Sequence, residues 1–182
     1  MALTSLLLIR HAEASGQEAD ADLTQGGHAQ STALANWLQT RGIDALFSSP
    51  YRRAKATLFP FSKQTGLPIS VQDGLKERVL ASHPQPDWRF HLKRSFVDRA
   101  YKLEGGESLE ETYERACDAL RSIHEQQPKY AAVAAHGNLI ASILNRIDPD
   151  FGYEAWDRMR NPDVFNLSLL RGVPHAFEQL DF

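Results

Sequence analysis

Apolar positions fall along the chain in two rhythms: short unbroken runs, and stripes repeating every three to four residues. Leu6 to Ile9 is a run of four apolar residues stopped by Arg10 and His11. A run this short, bounded by charge, predicts a strand buried on both faces. The polar stretch Glu13 to Leu23 reads as a surface loop, and Thr24 is placed to cap a helix over about residues 27–40. Leu34, Trp37, Leu38 and Arg41 stand at helical spacing there, with Gly42 beyond. A second strand over 44–47 runs into Ser48-Ser49-Pro50. Ser49 as N-cap with Pro50 at the first helical position predicts a helix start that puts Arg53 in the first turn. Gly66-Leu67-Pro68 stops that helix; residues 69–71 read as a third strand, and Asp73-Gly74 turns the chain.

From Ala81 to Leu103 the periodicity weakens. Pro84, Pro86, Trp88, Phe90, Phe96 and Tyr101 are scattered among charges, which predicts an insertion folded over the sheet rather than a core element. Ser108-Leu109-Glu110-Glu111 is a capping box. Leu109, Tyr113, Ala116, Leu120 and Ile123 form the clearest helical stripe in the chain. Pro128 closes it, a fourth buried strand covers 130–135 and ends at His136-Gly137, and a helix follows over 139–147. Residues 164–170 alternate, with Phe165, Leu167 and Leu169 on one face. After the turn Arg171 to Pro174, a closing strand covers about 176–180. Strands alternating with helices predict an α/β fold: a three-layer α/β/α sandwich with a mostly parallel central sheet. Residues 1–182 read as a single domain with a small cap insertion at about 79–106.

Composition narrows the function classes. The 182 residues are 42% hydrophobic and 24% charged, with a net charge of −3, so neither bulk nucleic-acid binding nor a membrane surface is indicated. The N-terminal apolar run is too short for a signal-peptide core, and no stretch suffices to span a bilayer. One cysteine, Cys117, excludes an intramolecular disulfide and points to a reducing, cytoplasmic setting. No Cys/His spacing suggests zinc; in His124-Glu125-Gln126-Gln127-Pro128 a proline stands where a metalloprotease needs its second histidine. Neither a metal nor another cofactor is expected. The sequence leaves the oligomeric state open.

Three strands end in chemistry: the first in Arg10 and His11, the second one helical turn short of Arg53, the fourth in His136. Right-handed crossovers bring these ends to one edge of the sheet. Two guanidiniums, two imidazoles and two helix N-termini converging there suit a dianion, with phosphate the natural choice. An imidazole nitrogen can attack phosphorus, and a carboxylic acid of raised pKa can protonate the leaving oxygen.

Leu8-Ile9-Arg10-His11-Ala12-Glu13 resembles the signature of the histidine phosphatase superfamily, the phosphoglycerate mutase-like fold, in its short bacterial-type phosphatase branch. Leu23-Thr24-Gln25-Gly26-Gly27-His28-Ala29-Gln30, Ser48-Ser49-Pro50-Tyr51-Arg52-Arg53-Ala54, Leu75-Lys76-Glu77-Arg78, Gly105-Gly106-Glu107-Ser108 and Ala134-Ala135-His136-Gly137-Asn138 resemble further family segments, in the family's order. The resemblance implies His11 as the phosphorylated nucleophile, Arg10, Arg53 and His136 as holders of the phosphoryl oxygens, and Glu77 as proton donor. It implies Arg78 facing the rest of the substrate, with Gly137 and Asn138 adding donors. Gln17 stands in for an asparagine that many members carry after the nucleophile. Ala12 occupies the place of the usual glycine, as in a branch acting on phosphohistidine proteins. The reaction implied is metal-independent hydrolysis of a phosphate monoester on a small phosphorylated substrate or a phosphoprotein. The alternatives are a phosphoglycerate mutase, a phosphohistidine-protein phosphatase, and a phosphate-binding domain without catalysis. His28, His83, His91, His124 and His175 read as ordinary surface or core residues, and Cys117 as buried and inert.

Overall fold

The computed structural model describes residues 3–182. Six strands form one sheet in the order β3-β2-β4-β1-β5-β6. Parallel pairing joins β1 (Leu3–Arg10) to β4 (Ala131–Ala135), β4 to β2 (Ala45–Ser48), and β2 to β3 (Ile69–Val71). β5 (Asp163–Leu170) and β6 (Val173–Leu180) extend the sheet antiparallel beyond β1. β1 starts earlier than its apolar run because Leu3 to Ser5 pair with β5.

The alternation of side chains along the central strands divides the core in two. Leu7, Ile9, Leu46, Ala132 and Ala134 meet Leu34, Ala35 and Leu38 of α1 (Gln25–Leu38) and Ala54, Leu58 and Phe61 of α2 (Arg52–Thr65). Leu6, Leu8, Val133, Phe165 and Leu167 meet Ala116, Leu120 and Ile123 of α4 (Leu109–Glu125) and Leu139, Ile140 and Ile143 of α5 (Gly137–Ile147). Both faces are covered, which is why the central strands read as continuous apolar runs. This is the three-layer sandwich expected.

Local chemistry sets the helix ends. Thr24 accepts the Gly27 N–H at 3.0 Å and caps α1, and Ser108 with Glu111 completes both bonds of a capping box on α4. α2 departs from expectation: it begins at Arg52, with Tyr51 rather than Ser49 at the cap position. Ser49 accepts the Tyr51 N–H at 3.2 Å but turns its hydroxyl to His136. α2 also contains Pro60. A proline cannot donate to the carbonyl four residues back; here that carbonyl, Ala56 O, accepts from buried Ser31 of α1 at 3.0 Å instead. β5 and β6 meet in a tight turn at Arg171 and Gly172, both with positive φ. This hairpin geometry matches strand twist and starts β6 three residues earlier than the sequence suggests. Pro174 is tolerated because β6 is an edge strand.

The cap insertion folds into a ten-residue helix, α3 (Trp88–Val97), which the sequence pattern did not predict. It packs against a five-residue helix, α6 (Tyr153–Asp157), also unpredicted. Arg89 bonds Asp157 at 2.8 Å and Tyr153 Oη at 2.9 Å, Lys93 bonds Glu154, and Trp88 meets Trp156 edge-on. Behind the cap, Arg99 ties it to Glu110 of α4 and Asn145 of α5.

Candidate active site

The C-terminal ends of β1, β2 and β4 deliver Arg10, His11, Ser49 and His136 to one edge of the sheet, and α2 delivers Arg53 beside them. His11 is 7% exposed and Arg53 and His136 are fully buried. The two imidazole centroids lie 5.2 Å apart.

Each ring is held by a different nitrogen. His11 Nδ1 lies 2.7 Å from the Ala12 carbonyl. A carbonyl only accepts, so Nδ1 carries the proton and Nε2 keeps its lone pair. That lone pair accepts from Arg53 Nε at 3.1 Å. Burial, with the charges of Arg53 and Arg10, brings the His11 pKa down to about 4 against the opposing Ala12 hydrogen bond. His11 is thus a neutral imidazole at neutral pH. His136 Nε2 lies 2.7 Å from Ser49 Oγ. Among the described residues Nε2 is the only acceptor the Ser49 hydrogen has, so that hydrogen goes to Nε2 and the ring proton sits on Nδ1. Burial, then the nearby positive groups, hold His136 well below the ordinary histidine range.

Ala12, where a glycine was the family expectation, is accommodated without strain. Its φ is negative, its side chain is buried, and its N–H bonds Thr57 Oγ1 at 2.9 Å. Asn161 donates to the His11 carbonyl at 2.7 Å. The backbone carrying the histidine is therefore pinned on both sides.

Arg10 donates through Nη1 to the Met159 carbonyl at 2.7 Å, and Arg53 through Nη1 to the carbonyls of Gln17 and Glu18. Gln17 thus takes part through its backbone, while its side chain is exposed. What remains on the cationic groups is telling. Among the described residues, Arg10 Nε, Arg53 Nη2, Arg78 Nη2, His136 Nδ1 and Trp156 Nε1 are buried donors with no acceptor. An unpaired buried donor costs roughly 1–3 kcal/mol, and such donors in one place ask for an anion.

Glu77 lies on the loop after β3. Its carboxylate accepts the N–H groups of Arg78 at 2.8 Å, Asn138 at 3.2 Å and Leu139 at 3.1 Å. The first turn of α5, expected to offer its donors to the anion, holds the acid instead. Burial pushes the Glu77 pKa up, outweighing those three hydrogen bonds and the Arg53 charge. The loop is fixed from below by Arg115, which reaches the carbonyls of Gly74 and Lys76 and forks onto Glu107 at 2.8 and 2.9 Å. Arg78 is buried, with Nε on the Glu107 carbonyl at 3.0 Å and Nη1 on Ser95 of the cap at 2.9 Å. Most of its fork thus joins cap to loop. Burial brings its pKa down to about 10. Gly137 starts α5 against Arg10: a β-carbon there would lie 3.2 Å from Arg10 Nε. Among the described residues no group of acidic, histidine or cysteine side chains could hold a metal ion, and no helix is long and apolar enough to cross a membrane.

Sequence reasoning missed Ser49 as a partner of His136, because Ser-Pro before a helix reads as a cap. It also missed Asn161, Arg115 and Trp156, which sit far from any motif. Glu107 just ahead of the N-cap of α4, with Arg115 inside the helix, was the available hint.

Comparison with known proteins bears on the whole chain. The model of the histidine phosphatase superfamily (branch 1) matches residues 6–179. A metal-independent phosphoserine phosphatase of Arabidopsis thaliana is 30% identical over 166 residues, covering 80% of this chain and 69% of that protein. A probable phosphatase of Schizosaccharomyces pombe is 28% identical over 156 residues, covering 78% of this chain. The match spans 55%, about half, of that relative's length. Mycobacterial glucosyl-3-phosphoglycerate phosphatase superposes with a TM-score of 0.77 at 21% identity, covering 98% of this chain and 97% of that one. The phosphatase reading of the sequence agrees with the names of these relatives. With the sandwich, the ordered segments and the matched model together, the chain belongs to the histidine phosphatase superfamily.

Proposed function

We propose that the protein hydrolyses phosphate monoesters through a covalent intermediate on His11. The carrying observation is the set of buried, unpartnered donors around a neutral imidazole whose Nε2 holds a lone pair. In the resting site that lone pair is occupied by Arg53 Nε. An arriving phosphoryl dianion gives Arg53, Arg10 and His136 the acceptors they lack and frees Nε2 to attack. The bond from Nε2 to phosphorus forms as the bond from phosphorus to the leaving oxygen breaks, and Glu77 gives that oxygen its proton. Water then attacks phosphorus, Glu77 takes a proton from it, and phosphate leaves with His11 restored. Preorganised positive groups supply the stabilisation of the transferring phosphoryl group. The chemistry is complete with side chains alone, so no metal is required.

The substrate we assign is a small phosphomonoester. Support comes from the relatives named for phosphoserine and glucosyl-3-phosphoglycerate and from the cap standing beside the site. A cytoplasmic setting belongs to the same reading, supported by the lone, buried Cys117.

The test is turnover of p-nitrophenyl phosphate in EDTA, with trapping of an acid-labile, base-stable phosphoenzyme. Glu77→Gln is expected to lower kcat by about 10²–10³ on an alkyl phosphate and far less on p-nitrophenyl phosphate, whose leaving group needs no proton. Activity only with added metal, or label on a residue other than His11, refutes the proposal. A coupled assay with 3-phosphoglycerate and bisphosphoglycerate separates hydrolysis from mutase transfer.

A further inference from the structure

Trp156 lies outside every motif and outside the mechanism just described. Its indole Nε1 is buried and has no acceptor. Indole N–H is a donor only, and a buried one normally finds a partner. It also has a specific neighbour: a β-carbon on Gly137 would touch Arg10 Nε at 3.2 Å and Trp156 Nε1 at 3.4 Å. Two unpaired donors, one charged and one neutral, therefore flank the bare backbone of Gly137 at the start of α5. Arg10 is fixed from the same segment, through its bond to the Met159 carbonyl three residues beyond the tryptophan. The indole is itself held from the far side, where Trp88 meets it edge-on at 6.1 Å and Arg89 and Lys93 clamp the flanking residues of α6.

We infer that Trp156 is a substrate-contact residue whose indole N–H donates to a phosphoryl oxygen shared with Arg10 Nε. This rests on the phosphatase reading and adds to it a neutral donor supplied by α6. A neutral donor suits this place. It completes the hydrogen bonding of the anion without adding a third positive charge beside His11, which would depress the nucleophile further. It also links the cap to the anion site, because the helix presenting the indole is the one that α3 grips.

The experiment is a titration of the ¹⁵N-labelled protein with vanadate and with inorganic phosphate, following the three tryptophan indole N–H resonances and the Arg10 Nε–H. The expected result is a downfield shift of the Trp156 indole proton together with Arg10, larger than any shift at Trp37 or Trp88. Trp156→Phe is expected to weaken vanadate inhibition about tenfold or more, the worth of a hydrogen bond to a charged acceptor. Trp88→Phe, which disturbs the packing but keeps the Trp156 N–H, is expected to stay within about twofold, and equal losses in the two variants would assign the effect to packing and overturn the inference. A shift at Arg10 with none at Trp156 overturns it while leaving the phosphatase reading intact. An indole shift seen only with an organic phosphomonoester puts the donor on the leaving group and also overturns it. If neither anion moves Arg10 or Trp156, the anion site itself fails and both readings fall.

Discussion

The ends of β1 and β4 present the same side chain 5.2 Å apart, both neutral, and give it opposite duties. His11 gives its Nδ1 proton to a carbonyl and turns a lone pair inward. His136 takes a serine proton on Nε2 and turns an unpaired N–H inward. One ring is prepared to donate electrons and the other to donate a hydrogen bond. The difference owes nothing to the imidazoles and everything to one carbonyl and one hydroxyl behind them. On the proposed reading, tautomer, rather than position alone, separates nucleophile from clamp.

The largest break in this pairing is His11→Ala. Turnover is expected to fall to the uncatalysed background and no phosphoenzyme to form, while circular dichroism and vanadate binding persist. Residual turnover above about 1% of wild type, judged against the 10²–10³ attributable to a single donor, would deny the ring its covalent role. His136→Ala removes a donor and spares the attacking atom. Here kcat/KM is expected to drop about 10²–10³, with phosphohistidine still detectable in a slow single-turnover reaction. Should His136→Ala abolish labelling outright, the division of duties is wrong. Ser49→Ala sharpens the comparison, since it leaves both rings in place and releases the proton that fixes His136, together with the Tyr51 N–H that Ser49 accepts. The expected loss is about fivefold, near the worth of one neutral hydrogen bond, mostly in kcat. Wild-type rates in Ser49→Ala would mean that His136 keeps its tautomer unaided.

The smallest expected effect is in the pH profile. A histidine nucleophile with an ordinary pKa of 6.5 would lose about 30-fold in kcat/KM at pH 5. With the pKa at about 4, the loss at pH 5 should be only about 10%, once the substrate's own second ionisation near 6 is allowed for. An acidic limb near 6.5 would show that burial and the two arginines do not depress His11. The same shift has a stability sign. Unfolded histidine takes up its proton near 6.5 and the folded ring only near 4, so the unfolded state binds more protons between these values. Stability is therefore lost as pH falls through that window, by up to about 3 kcal/mol for His11, and melting scans from pH 7 to 4 read it directly.

What the sequence disclosed follows a physical line. Arg10, His11, Arg53 and His136 were legible because each stands at or one turn beyond the end of a doubly buried strand, where a parallel sheet has its crevice. α1, α4 and α5 were legible because each presents an apolar stripe to that sheet. α3 and α6 were not. They grip one another through Arg89–Asp157, Lys93–Glu154 and a pair of tryptophans, contacts that leave no periodic stripe. Ser49 was misread because a cap uses only a lone pair of its hydroxyl: the oxygen accepts the Tyr51 N–H while the hydrogen is left for a distant imidazole that only the fold brings near. Arg78 shows a divided fork that no motif could reveal: Nε goes to Glu107 and Nη1 to Ser95, while Nη2 is buried without an acceptor.

Arg53 carries one more implication. Its Nη1 is anchored on the carbonyls of Gln17 and Glu18 while its Nε meets His11 Nε2, so a single rigid fork spans from the wall of the cleft to its floor. Turning that fork toward an incoming anion tugs the wall; a stray swing of the wall unseats the fork. Order in the segment from Glu13 to Leu23 and occupancy of the cleft thereby become two readings of one mechanical linkage.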